Sequence, residues 1–156
     1  FRLMLIDISE YLFDEQDASF RLSLYLHDKN GKYFILIGRY SYNKLFDETR
    51  RPFYPDSEGV IAKVYNDGRF QDSINANSTE EIIDWYTSKH DLNNKVAENL
   101  TMYSKSFFGI RIEEDLDIGN PVGVLLFESI NTLPQRGKNF QHIADIFEEK
   151  RILYTK

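Results

Sequence analysis

Residues 20–31 read Phe20-Arg21-Leu22-Ser23-Leu24-Tyr25-Leu26-His27-Asp28-Lys29-Asn30-Gly31. Phe20, Leu22, Leu24 and Leu26 alternate with Arg21, Ser23, Tyr25 and His27, the period of two that marks a strand with unlike faces. The first set predicts a buried face, and the second a face that is wet or half-covered. Asp28-Lys29-Asn30-Gly31 predicts a hairpin turn, with Asn30-Gly31 supplying positive φ angles. The return strand is expected from Tyr33 to Tyr42. Its centre, Phe34 to Ile37, is apolar on both faces, as befits a central strand. Strands joined by hairpins pair antiparallel, so an antiparallel sheet is expected.

Upstream, Phe1 to Phe13 reads as a helix. Leu5, Ile8 and Leu12 form its apolar stripe, broadened by Met4 and Tyr11. A helix this apolar must pack on its own sheet or on another copy of the chain. Downstream, residues 43–56 read as a polar loop punctuated by proline and holding Phe53 and Tyr54. Pro55 to Glu58 looks like a helix entry, Gly59 to Asn66 a short helix, and Gly68 its end. A short strand is expected near Phe70 to Ile74. Ser78 and Glu81 form a capping box for a helix from Thr79 to about Lys89, which carries Ile82, Ile83, Trp85 and Tyr86. Two more strands follow. In the first, Phe108, Ile110 and Ile112 alternate with Phe107, Gly109, Arg111 and Glu113. The second, Val122 to Ile130, contains Gly123, which marks a close approach of backbone or side chain. After Gly137 comes a closing helix, Phe140 to about Leu153. Phe140, Ile143, Ala144 and Phe147 are its buried stripe, and Lys150 and Arg151 suit its dipole. The expected class is α+β: a central antiparallel sheet, terminal helices on one face, and the insertion of short helices over the other.

A chain of 156 residues suits one domain, 1–156. Phe1 in place of Met predicts that it is cut from a longer protein. Cysteine is absent, which removes disulfides, thiolate metal sites and cysteine nucleophiles. The net charge of −6 argues against direct nucleic-acid binding, which needs an excess of Lys and Arg. No stretch approaches the roughly 20 apolar residues of a membrane span. The apolar run near Leu3 is broken by Asp7, unlike a signal peptide. A cytoplasmic location is expected from these missing signals.

The order of segments resembles the GAF domain family. The hairpin from Phe20 to Tyr42 is similar to the opening strands of a GAF sheet. Glu58-Gly59-Val60-Ile61-Ala62-Lys63-Val64 with Gly68 resembles the short helix whose pattern is glycine, two apolar residues and a small one. Met102 to Ile110 resembles the penultimate strand, entered through a serine, here Ser104 or Ser106. Pro121-Val122-Gly123-Val124-Leu125-Leu126-Phe127-Glu128-Ser129 resembles the last strand. Arg111 departs from the pattern, standing where a proline is frequent. Profilin-like relatives such as PAS domains share the topology. The resemblance implies a small-molecule sensor within a larger signalling or transcription-regulating protein, forming a homodimer through its terminal helices.

The ligands of that family can be set against these residues. Bilin attachment and sulfoxide reduction, which the resemblance ties to cysteines, lack their thiols. Asn43-Lys44-Leu45-Phe46-Asp47-Glu48 resembles a cyclic-nucleotide signature but is compressed and follows the second strand, so a solvated loop is expected. At the proper place stands Glu128-Ser129-Ile130-Asn131, without the lysine. His27, His90 and His142 lack ligand spacing and read as surface or helix-end residues, so neither haem nor a metal is expected. Glu113, Glu114, Asp115 and Asp117 read as a solvated hairpin loop. No nucleophile elbow or glycine-rich phosphate loop is present, and no enzyme is expected. An aromatic pocket between sheet and insertion remains. The resemblance places Tyr40, Tyr42, Phe53, Tyr65, Phe70, Trp85, Tyr86, Tyr103 and Phe107 around it, with Arg39, Asn75 and Ser104 as polar groups. It would take a small-molecule effector; the alternative is a ligand-free dimerisation or relay module with an inert aromatic core.

Overall fold

A computed structural model describes residues 1–13, 16–114, 120–133 and 140–154, with residues 150–154 described through their backbone only. The elements in chain order are α1 (Arg2–Leu12), β1 (Phe20–Asp28), β2 (Tyr33–Tyr40), α2 (Lys44–Asp47), β3 (Phe53–Pro55) and α3 (Gly59–Asp67). They continue with β4 (Arg69–Ser73), α4 (Thr79–Lys89), α5 (Asn94–Ala97), β5 (Ser106–Glu113), β6 (Pro121–Ser129) and α6 (Phe140–Tyr154). The six strands make one sheet in the order β3-β2-β1-β6-β5-β4. Every neighbouring pair runs antiparallel. The expected α+β architecture is what the chain adopts. Gly137, Asp115, Asp117 and the side chains of Lys150, Arg151 and Leu153 lie outside the described residues.

Each face of the sheet has its own core. On one, Leu5, Ile8 and Leu12 of α1 and Ile143, Ala144 and Phe147 of α6 bury against Leu22, Leu24, Phe108 and Phe127. On the other, Val60, Ile61 and Val64 of α3 and Ile82, Trp85 and Tyr86 of α4 bury against Tyr25, Phe34, Phe107 and Leu126. The strict alternation of β1, β5 and β6 sends successive side chains to opposite cores. This explains a departure from expectation. The Arg21, Ser23, Tyr25 side of β1, expected to be wet or half-covered, is covered outright: all three are buried, because the insertion lies over it.

Three further details differ from the reading of the sequence. β2 is not central; it lies second from the edge, and only Phe34 of its apolar run is fully buried. The segment read as a loop at residues 43–56 contains α2 and supplies β3, the edge strand beside β2. In the first hairpin the positive φ falls on Lys32 (56°), not on Asn30 or Gly31. Asp28 Oδ1 accepts from the backbone N–H groups of Asn30 and Gly31, both at 3.0 Å. That side-chain bond holds the start of the turn, so the left-handed residue comes later.

The local signals otherwise do what they predict. Gly68 closes α3 at φ 82°, its N–H donating to the Val64 carbonyl. Ser78 Oγ accepts from the Glu81 N–H at 3.2 Å, while Glu81 Oε2 reaches back to the N–H of Asn77 rather than of Ser78. At Gly123 a Cβ would collide with the carbonyl oxygen of Tyr25, which is the close approach that glycine marks.

Candidate functional site

The antiparallel register lays out the floor of the insertion side in rows. Arg21 stands opposite Glu128, and Glu128 opposite Phe107. Arg39 stands opposite Ser23, and Ser23 opposite Leu126. Tyr25 stands opposite Val124. Above this floor lie Val60 and Ile61 of α3, Tyr86 of α4, and the stretch from His90 to Met102. Between floor and cover is a cavity of about 380 Å³, within the range of small-molecule sites.

Two arginines share the floor but have different company. Arg21 Nε donates to Glu128 Oε2 at 2.7 Å, with Nη2 at 2.6 Å from the same oxygen. Arg39 is buried, and among the described residues it bonds only to neutral oxygens. Its Nε donates to Ser23 Oγ (3.1 Å) and its Nη1 to the Glu48 carbonyl (3.0 Å). Its Nη2 donates to the phenols of Tyr25 (3.3 Å) and Tyr54 (3.4 Å). Burial opposes the charge on Arg39, but the oxygens of Tyr25 and Tyr54 and the Glu128 carboxylate outweigh it and raise its pKa. Burial, with Tyr54 adding to it, pushes the Tyr25 phenol up to about 12. Tyr25 is therefore a neutral hydroxyl at physiological pH. More exposed ion pairs, Glu48 with Arg50 (3.3 Å) and Glu58 with Arg51 (3.0 Å), stand beside them.

Tyr86 forms a wall. Its hydroxyl donates to the Ser104 carbonyl (2.9 Å) and accepts from the Ser104 N–H (2.8 Å). Burial raises its pKa, with Glu128 adding to it and the Ser104 bonds opposing it. The hydroxyl thus tethers α4 to the entrance of β5 and leaves the ring to face the cavity. His90 caps the C-terminus of α4 and is wholly buried. Its ring meets Trp85, Phe70 and Phe107 at 4.6, 5.7 and 5.8 Å between centroids. Among the described residues neither ring nitrogen has a hydrogen-bond partner, although Nε2 is 3.3 Å from Asp72 Oδ2. Burial, aided by Lys63 and opposed by Asp72, pulls its pKa down to about 4, so the ring is neutral near pH 7.

Of the residues singled out from the sequence, Arg39, Tyr86 and Phe107 line the cavity. Tyr40 cannot share it with Arg39, because neighbours in a strand point to opposite faces; its ring packs on Phe20 under the terminal helices. Tyr42 and Phe53 are half exposed, Phe53 on the edge strand against Tyr33. Tyr65 packs on His27 and Phe34 and donates to the Pro121 carbonyl at 3.2 Å. Phe70 and Trp85 belong to the packed aromatic cluster, Trp85 stacking on Phe107 at 5.2 Å. Tyr103 donates to the Glu98 carbonyl. Ser104 is buried behind Glu128, its Oγ 3.4 Å from Oε1, and Asn75 is exposed. The sequence reading missed Arg21, Tyr25, Tyr54 and Glu128. Its available signal was the charge at Arg21 and Glu128 inside the two strands.

The other expectations for polar residues are settled in part. His90 is a helix-end residue but not a surface one, and His27 is half-buried with Nε2 2.9 Å from Asp56. Asn43 to Glu48 is not a solvated loop: Asn43 caps α2, Phe46 is buried, and Asp47 pairs with Arg2 at 2.8 Å. Glu113 pairs with Arg111 at 2.7 Å and Glu114 with Asn120. Among the described residues no three His, Asp or Glu side chains are grouped as a metal site, and no helix is long and apolar enough to cross a membrane.

No family model and no curated protein matches the sequence. Solved structures do match the fold. The GAF domain of an Acinetobacter phosphoenolpyruvate-protein phosphotransferase superposes with a TM-score of 0.55 at 12% identity, covering 97% of this chain and 78% of that one. A GAF domain/HD domain protein from Geobacter sulfurreducens gives 0.55 at 11%, over 97% and 89%. The free methionine-R-sulfoxide reductase of Neisseria meningitidis, solved with its substrate, gives 0.51 at 15%, over 96% and 86%. At such identities the likeness establishes the fold, which is that of GAF domains, and that fold is shared by a reductase.

Proposed function

We propose that this chain with a GAF fold is a regulatory, ligand-sensing domain, and that its ligand is a small molecule held between the sheet and the insertion. The observation that supports this is the cavity of about 380 Å³ whose floor presents buried, oriented polar groups amid apolar walls. A space kept open beside a buried guanidinium is an expensive way to build an inert core, since buried charge is costly unless paired. Occupancy has a route to the terminal helices. β1 and β6 line the cavity with Arg21, Tyr25, Leu126 and Glu128, and pack α1 and α6 with Leu22, Leu24 and Phe127. A ligand that favours one packing of those helices would shift their equilibrium by its differential affinity.

The test is a thermal-shift screen of metabolites, nucleotides and amino acids. Native-state binding at a hundredfold excess over Kd adds about 2.7 kcal/mol, or very roughly 5–10 °C for a domain of this size. Ile61→Phe, which adds bulk to the cavity's apolar wall, is expected to weaken that shift while the protein stays folded. A shift undiminished by Ile61→Phe places the ligand elsewhere, and a flat screen removes the reading. A second reading, a ligand-free dimerisation module, is favoured by Phe1, Leu3 and Tyr11, which are 70%, 81% and 56% exposed along α1. Sedimentation of the wild type against Leu3→Glu tests it: a dimer that the charge dissociates supports it, and a wild-type monomer rejects it.

A further inference from the structure

From the cavity's charges we infer the class of ligand: a small monocarboxylate, its carboxylate seated on Arg39 and its apolar body against Ile61, Phe107 and Leu126. The inference rests on the ligand-sensing reading above and gives it a chemistry. Its first support is the contrast between the two floor arginines. Both are buried, yet Arg21 has Glu128 at 2.6 Å while Arg39 has no carboxylate oxygen within ion-pair distance among the described residues. A buried guanidinium satisfied by neutral acceptors alone keeps its hydrogen bonds but has no counter-charge in contact, Glu128 acting on Arg39 only from beyond ion-pair distance.

The charge count around the cavity agrees. In a chain of net charge −6, the lining has Arg21, Arg39, Arg50, Arg51 and Lys95 against three carboxylates. Arg21 is neutralised by Glu128, Arg50 by Glu48 and Arg51 by Glu58. Lys95 is exposed and solvated. Arg39 is left as one buried positive charge, which calls for one negative charge. The two bonds from its Nη2 to the phenols, at 3.3 and 3.4 Å, are long for charge-assisted donors. A carboxylate would take the guanidinium fork in shorter, parallel bonds, and the freed Tyr25 and Tyr54 hydroxyls could donate to it as well. Beside Arg39, Val60, Ile61, Leu92, Phe107 and Leu126 give the cavity an apolar wall, so the ligand's body is hydrocarbon or aromatic rather than sugar.

The experiment measures affinities of the wild-type protein for matched probes: 4-methylpentanoate and 4-phenylbutanoate, their neutral primary amides, and 3-methylbutyl phosphate. The acids are expected to bind at least about tenfold tighter than their amides, as a charge-assisted pair should against a neutral one. Arg39→Gln should bring acid and amide together. Arg39→Lys, which keeps the charge and loses the fork, should weaken the acid without strengthening the amide. If Arg39→Gln does not fold, the wild-type comparison and Arg39→Lys decide. A carboxylate found in the broader screen, and weakened as much by amidation, supports the inference equally. Acids and amides binding alike overturn it while leaving a ligand-sensing cavity. A phosphate bound tenfold tighter than the acids overturns the single-charge argument, and so does a neutral or cationic hit from the screen with no response to the acids. If nothing binds in either experiment, the sensing reading falls along with the inference.

Discussion

The two faces of the sheet are built from the same strands and differ in what they bury. Under α1 and α6 the side chains are almost all hydrocarbon: Leu5, Leu22, Phe108, Phe127 and Phe147 meet with little left over. Under the insertion, Arg21, Ser23, Arg39, Ser104, Glu128 and His90 are buried among aromatic rings, and space remains. Hydrophobic burial is cheap to satisfy because it asks only for contact. Buried charge asks for geometry, and tolerating it beside a cavity is what a binding surface requires. One side is therefore a dry scaffold, and the other is where the proposed ligand would sit.

That contrast can be broken in graded steps. The largest effect is expected from Phe127→Ala on the helix-covered side, a loss of about 3–5 kcal/mol of stability in urea denaturation, with cavity formation as the cause. A loss under about 1 kcal/mol would mean that this face is not the dry scaffold described. On the other side, Glu128→Ala leaves Arg21 buried and unpaired and should cost about 3 kcal/mol. The paired change Arg21→Met with Glu128→Leu should recover most of it, since replacing a buried ion pair by apolar groups is often neutral. A double variant as unstable as the single one would show that packing, not charge, is what Glu128 supplies.

The third step uses pH. His90 has a folded pKa near 4 against an ordinary value of 6.5. Its pKa is lowered on folding, so the unfolded chain takes up a proton that the folded one refuses. Stability from this residue is whole above about pH 6.5, falls as the pH drops, and is lost by about pH 4, amounting to at most about 3 kcal/mol. His90→Phe should flatten that part of the stability profile and leave the rest. A profile unchanged by the substitution would place the acid sensitivity in other groups.

The sequence made the scaffold side legible and the cavity side much less so. Leu5, Ile8 and Leu12, or Ile143, Ala144 and Phe147, announce themselves because apolar periodicity is a local signal. So do Gly68 and Ser78, whose backbone roles are fixed within a few residues. The cavity depends on register between strands far apart in the chain. Nothing near Arg21 says that Glu128 will stand opposite it, so the polar face of β1 reads as wet or half-covered. Aromatic residues were gathered as one pocket because composition does not tell a lining ring from a packed one. Trp85 and Phe70 fill the cluster, whereas Tyr86 and Phe107 border the space. Tyr40 was separable in principle, since it follows Arg39 directly in a strand.

The pairing of β1 with β6 also sets a clock. Arg21 and Glu128 lie 107 positions apart, and this contact sits in the middle of the sheet. During synthesis the first hairpin can form early, but its neighbour on the other side is not yet made. Closing so long a loop delays the encounter, as in other chains ruled by distant contacts. Until β6 arrives, the edge of β1 is open to pairing with another molecule. The cavity floor is thus among the last parts to exist, and it stays half-built until β6 is in place.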